Sequence, residues 1–245
     1  MNEVMKLMQS HSSVRSYTGE SIDEAMLEEI IACGQAAASS SFIQAYSVIR
    51  VTDQDKRHLI AEAAGGQSWV IEAAEFLVLC ADMQRVNYAS RKSGQGELQG
   101  YTEHFLTATV DTSLMAQNMM LAAESCDLGC VFIGGIRNDP QVTVDALQLP
   151  EHVYPVFGLC IGWPAHRNAV KPRMPVSSVL HQNTYDLDAV SSQVDEYDKL
   201  IAEYYGSRNS NAKSSDWSAP TTQAIQGKRR EHMLAFLQRQ GFIKR

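Results

Sequence analysis

Residues 102–128 are apolar on most sides, carrying Phe105, Val110, Leu114, Met115, Met119, Met120, Leu121 and Ala122. This is the longest helix candidate in the chain. A helix with so little polar face must be covered all round, by its own domain or by a partner subunit. A bilayer is a poor candidate for that cover, because Asp111, Gln117 and Asn118 interrupt the most apolar part, residues 105–123. The methionines read as packing residues rather than a ligand box.

The rest of the 245 residues alternates helix and strand signals. Residues 3–10 are amphipathic. Asp23 is placed to cap a helix whose stripe is Met26, Leu27, Ile30 and Ile31. Residues 45–51 read as a strand and 53–64 as a helix, broken by Gly65-Gly66. Residues 75–82 (EFLVLCAD) are a continuous apolar run bounded by polar residues, the pattern of a strand covered on both faces. Residues 83–100 are polar, with Gly94, Gly96 and Gly100, and predict a mobile loop with a short helix. Strands are expected at 129–133, 154–163 and 177–181, and helices at 140–147, 190–205 and 221–240. No repeat and no clear domain boundary is visible.

Hydrophobic content of 44% and charged content of 20% describe a globular chain with ample core. A net charge of -7 argues against a nucleic-acid partner and against an anionic membrane surface. The five cysteines mostly sit in apolar sequence, form no closed disulfide set and read as reduced, buried thiols in a cytoplasmic protein. Cys126 and Cys130 lack a second pair at zinc spacing, so no metal site is expected. No signal peptide is expected at the N-terminus.

Two short basic stretches suggest a ligand. In His11-Ser12-Ser13-Val14-Arg15 an extended backbone puts His11, Ser13 and Arg15 on one side, a set suited to a phosphate. Proline holds Lys171-Pro172-Arg173 extended in the same way. A solvated strand edge is the plainer reading of the first stretch alone. Ser39-Ser40-Ser41 offers hydroxyls and amides, or is simply a turn. Gly134-Gly135 after a core strand would let backbone amides approach a flat ligand, or is a tight turn; no GxGxxG pattern is present.

Taken in order, HSSVRSYT, ASSSFIQ, GGQ, AAEFLVLCAD, VDTSLMAQN, AAES, FIGGIRN, FGLCIGWP, KPRMP, EYYGSR and QGFIKR resemble one family over essentially the whole chain. This is the oxygen-insensitive NADPH nitroreductase and flavin reductase P branch of the nitroreductase superfamily. The resemblance implies an α+β fold in three layers, with a mixed, mainly antiparallel sheet between helices. It also implies one FMN-binding domain over residues 1–245, with 190–245 as a C-terminal helical extension, and an intertwined homodimer with FMN at its interface. By position, His11, Ser13, Lys171 and Arg173 would hold the FMN phosphate, beside Ser12, where relatives commonly carry arginine. Arg15 would lie near N1 and O2 of the ring, Gln67 at the pyrimidine edge, and Ser39 would come from the partner subunit. Gly134 would turn its amide toward N5, with Phe132, Ile133 and Gly135 as that wall. Arg208 and Arg230 would face the NADPH phosphates, although Glu231 stands where a proline usually follows.

The implied activity is transfer of hydride from NADPH to FMN, then of electrons to nitroaromatics, quinones or free flavin, with ping-pong kinetics. No side chain need act as nucleophile or base, because the flavin carries the chemistry and Arg15 and Gly134 tune the ring. The alternatives are a dedicated flavin reductase feeding a monooxygenase, and a non-catalytic flavin-binding protein.

Overall fold

The computed structural model describes residues 1–207, 215–227 and 229–245, in two units. The first joins Met1–Asn168 to Arg230–Arg245, and the second is Ala169–Arg229.

The first unit opens with α1 (Glu3–Gln9) and α2 (Glu24–Gln35), where the Asp23 side chain accepts the Ala25 amide at 3.1 Å. A 3-10 turn at Ser40–Phe42 leads to β1 (Tyr46–Arg50), α3 (Gln54–Ala63) and the single turn α4 (Trp69–Glu72). Then come β2 (Glu75–Asp82), α5 (Gln84–Lys92), α6 (Thr102–Ser125) and β3 (Gly129–Ile133). A 3-10 helix at Gly134–Asn138 joins β3 to α7 (Pro140–Leu147), and β4 (Val153–Gly162) follows. The second unit contains a 3-10 turn at Val176–Ser178, α8 (Val190–Gly206) and α9 (Ser218–Gln226). The chain closes in the first unit with α10 (Met233–Arg239).

The sheet has the order β1-β2-β4-β3, and each of these pairings is antiparallel. Every residue of β2 is buried, which is why residues 76–81 between its terminal Glu75 and Asp82 are continuously apolar. Phe76, Val78 and Cys80 enter one core, shared with Ile60, Val144 and Phe236 of α3, α7 and α10. Leu77 and Leu79 enter the other, with Leu27 and Ile30 of α2 and Met115, Met119 and Met120 of α6. The result is helices on both faces of a small sheet. Arg57 of α3 fastens its layer to the chain, donating to the carbonyls of Val51 (2.6 Å), Ala73 (2.8 Å) and Ala74 (3.2 Å).

The long helix is covered only in part. Its inner side meets α2 and the sheet, while Leu106, Val110 and Leu114, four residues apart, remain exposed as a row. No helix among the described residues is long and apolar enough to cross a membrane.

Three local expectations need revision. Residues 177–181 form no strand: Val179 and Leu180 are 69% and 59% exposed, so their apolar pattern marks surface, not a buried ladder. The single helix expected at 221–240 is α9 and α10, and between them Arg230 has φ 48°, a left-handed conformation that no α-helix continues through. Cys80, Cys130 and Cys160 are buried, but Cys33 and Cys126 lie at the surface; all five are free. Residues 83–100 contain the nine-residue α5, and the Asn87 side chain accepts the Leu98 amide at 2.8 Å, folding the glycine-rich remainder back.

Candidate functional site

The HSSVR segment is seated on the ends of two strands. Val14 N donates to the Cys130 carbonyl at 2.9 Å and Thr18 N to the Trp163 carbonyl at 3.0 Å, while Tyr17 forms an isolated antiparallel bridge with Pro164. Two glycines make the room. Gly129 and Gly162 are partners across β3 and β4. A Cβ on Gly129 would fall 2.6 Å from Val14 Cγ2, and one on Gly162 would fall 2.6 Å from Tyr17 Cδ1. Val14 is therefore fully buried, while Ser13 is half-buried and Arg15 exposed. Burial raises the pKa of the Tyr17 phenol, with Cys160 and Cys130 adding to it and Arg15 opposing, so the ring stays neutral. His11 turns toward the last turn of α6, where its Nδ1 lies 2.6 Å from Glu124 Oε1.

A second group gathers at the end of β3. The Arg15 guanidinium carbon lies 5.8 Å from the centroid of the Trp69 ring. Trp69 opens α4, two residues beyond Gln67, whose Nε2 donates to the Ala64 carbonyl at 2.7 Å. Gly135 sits against that pair: a Cβ there would collide with the Ala64 carbonyl oxygen and Gln67 Nε2. Gly134 lies beneath the Arg137 side chain, and its carbonyl accepts from Arg230 Nη2 at 3.2 Å. Arg230 also donates to Asn138 Oδ1, at 2.9 Å. Burial and then the charge of Arg230 lower the pKa of Arg137, so two guanidinium groups crowd the Gly134 turn and make it electropositive. Phe132 packs edge-on against Phe157 with centroids 4.8 Å apart, whereas the Ile133 side chain is fully buried in the core and leaves only its backbone available.

The remaining expected residues have surroundings of their own. Ser39 precedes the 3-10 turn, and its hydroxyl accepts the Gln44 amide at 3.3 Å. Among the described residues it makes no hydrogen bond to Arg15, Gln67 or the glycines. Lys171 and Arg173 belong to the second unit, where Lys171 Nζ lies 5.1 Å from the Tyr205 ring centroid and Arg173 is exposed. Between them the Pro172 carbonyl accepts the Tyr197 hydroxyl at 2.8 Å. Arg208 lies outside the described residues.

These side chains fit a flavin. A permanent cation, a primary amide and two glycine backbones adjoin one another, and the buried Trp69 Nε1 has no hydrogen-bond partner among the described residues. A buried indole N–H calls for an acceptor, and a flavin ring carries several. Among the described residues no group of three or more His, Cys, Asp or Glu is arranged to hold a metal ion.

The model of the nitroreductase family matches residues 8–163, and that of the nitroreductase family C-terminal domain matches residues 171–245. The chain belongs to the nitroreductase family. It is 41% identical over 246 residues to the oxygen-insensitive NADPH nitroreductase of Salmonella typhimurium, covering 100% of both chains. It is 42% identical over 248 residues to the NADPH-flavin oxidoreductase of Vibrio harveyi, again covering 100% of both. The solved structure of the NADPH:FMN oxidoreductase from Vibrio harveyi complexed with NAD+ matches with a TM-score of 0.87 at 38% identity, covering 100% of each chain. In this nitroreductase the sequence reading omits Trp69 and Glu124, both in contact with candidate residues. Trp69 had a signal in its place just after Gln67, and Glu124 one in the AAES stretch, but nothing local pairs Glu124 with His11, 113 residues away.

Proposed function

We propose that this nitroreductase is an FMN-dependent NADPH oxidoreductase that reduces nitroaromatics, quinones or free flavin in a ping-pong cycle. The observation that carries the reading is the contiguous group of Arg15, Trp69, Gln67, Gly134 and Gly135 at the end of β3. The names of its relatives, which include NADPH and flavin, support it. When bound, FMN would supply the redox chemistry between NADPH and the acceptor, and the residues of this chain would bind and orient it. Arg15 would place a positive charge on the pyrimidine side, where reduction builds negative charge. Gln67, whose Nε2 is held by the Ala64 carbonyl, would meet the pyrimidine edge. Gly134 and Gly135, between Phe132 and Ile133 of β3 and the Arg137 side chain, bring backbone rather than side chain to the ring. His11, Ser12, Ser13, Lys171 and Arg173 bind the phosphate by charge-assisted and neutral hydrogen bonds. Arg208 and Arg230 receive the NADPH phosphates.

The working form is a cytoplasmic homodimer in which residues 1–245 act as one FMN-binding domain, with 190–245 as its helical extension. A second copy accounts for the exposed row of Leu106, Val110 and Leu114 and for Met5 and Met8 of α1, which are also exposed. It also gives a place to Phe42, 81% exposed in the loop that follows Ser39. The test is the visible spectrum of the purified protein. A yellow protein that bleaches on anaerobic addition of NADPH is expected. Protein that is colourless and stays so after incubation with FMN overturns the reading.

A further inference from the structure

Glu124 occupies an unfavourable place for a carboxylate. It lies in the last turn of α6, the end at which a helix prefers a cation, and its side chain is only 6% exposed. Arg167 partly offsets the helix end, donating to the carbonyls of Asp127 (2.6 Å) and Leu128 (3.2 Å). The direct partner of the carboxylate is His11, whose Nδ1 is 2.6 Å from Oε1 and whose ring is 25% exposed. Among the described residues the other ring nitrogen of His11 makes no hydrogen bond. The imidazole is thus held from behind, with its Nε2 free to meet a ligand.

We propose that Glu124 is a positioning residue for the FMN phosphate and acts through His11. The inference rests on the FMN reading above. The carboxylate accepts the Nδ1 proton, which fixes the plane of the ring and leaves Nε2 as the atom that reaches the phosphate. To donate there, Nε2 must carry a proton as well. The ring then sits as a cation between two anions, the carboxylate behind it and the phosphate in front. Without the carboxylate the imidazole can rotate, or can present an Nε2 lone pair to a phosphate oxygen, and either weakens the contact.

The test compares FMN with riboflavin, which has the same ring and no phosphate, by fluorescence titration of flavin-stripped protein. Glu124→Gln keeps the shape of the side chain and removes its charge. It should weaken FMN by about 10- to 100-fold and leave riboflavin within about twofold. On His11→Ala protein the same change should have no further effect on FMN, because its route is gone. Glu124→Asp keeps the charge but draws it back from Nδ1. As the second variant, should Glu124→Gln not fold, it should give a smaller loss with the same selectivity for FMN. Equal losses for both flavins, unchanged FMN affinity, or a full Glu124→Gln effect on His11→Ala protein would each overturn the inference while the FMN reading stands. Wild-type protein that binds neither flavin overturns both.

Discussion

Asp111 and Ser40 meet across 71 residues of sequence: a buried carboxylate in the middle of α6 accepts the Ser40 amide at 2.9 Å. Its second oxygen accepts the Ala45 amide at 3.1 Å. Between these points Ser41, Phe42 and Gln44 have φ of 47°, 58° and 55°, a conformation that residues with a Cβ adopt only at a cost. The two charge-assisted bonds hold that strained loop, and with it Ser39, in place. Asp111→Ala should therefore destabilise the protein by about 3 kcal/mol, read as a lower urea midpoint, and should also lower FMN retention. An unchanged midpoint would show that the loop holds itself.

Replacing Lys171 and Arg173 together by alanine should release the flavin and leave the fold intact. Two lost charge-assisted contacts weaken FMN by roughly two to four orders of magnitude if their effects add. The measurement is the FMN dissociation constant beside a circular dichroism melt. A folded double variant with wild-type affinity would mean that the phosphate is bound by other residues.

Gly135→Ala meets a backbone carbonyl, that of Ala64, which cannot swing aside as a side chain can. We expect a loss of about 1–3 kcal/mol in stability, together with weaker flavin binding as Gln67 is displaced. Gly206→Ala, where a Cβ would meet nothing within 4 Å, is the control and should be near neutral. Similar behaviour of the two variants would remove the packing argument.

His104 should contribute a pH dependence to stability. Burial, then the charge of His152, lowers its pKa from the usual 6.5, against a smaller opposing effect of Glu103. The unfolded chain then takes up the proton first. Stability is full above about pH 6.5 and is lost as the pH falls toward the depressed folded value. His104→Gln should flatten the urea midpoint between about pH 7 and 5. A slope as steep in the variant as in wild type would assign the effect to other groups.

Much of the fold is legible in local pattern, because the sheet is buried on both faces and its central strands are written as apolar runs. β2, β3 and α7 run over the expected residues, and the capping role of Asp23 is plain from its position before an amphipathic stripe. Pattern misleads where apolar residues are not covered by their own unit. Val179 and Leu180 look like a strand for that reason, and the break at Arg230 depends on contacts to Asn138 and Gly134 that no local rule contains. The candidate site was legible as residue types and family spacing. Its supports were not: Asp111 and Glu124 stand out as polar residues in an apolar helix, but their partners lie 71 and 113 residues away, beyond any local rule.

Gly129 and Gly162, side by side on β3 and β4, seat Val14 and Tyr17 so closely that the HSSVR segment is a passenger of the sheet edge. The Val14 amide is committed to the Cys130 carbonyl of β3, so its deuterium exchange should keep pace with the fraying of the β3 edge, while the Thr18 amide is held by the Trp163 carbonyl just beyond β4. The segment has no hinge of its own. Whatever it grips loses that support when the edge opens, so a ligand held there can stay no longer than the interval between openings of the edge.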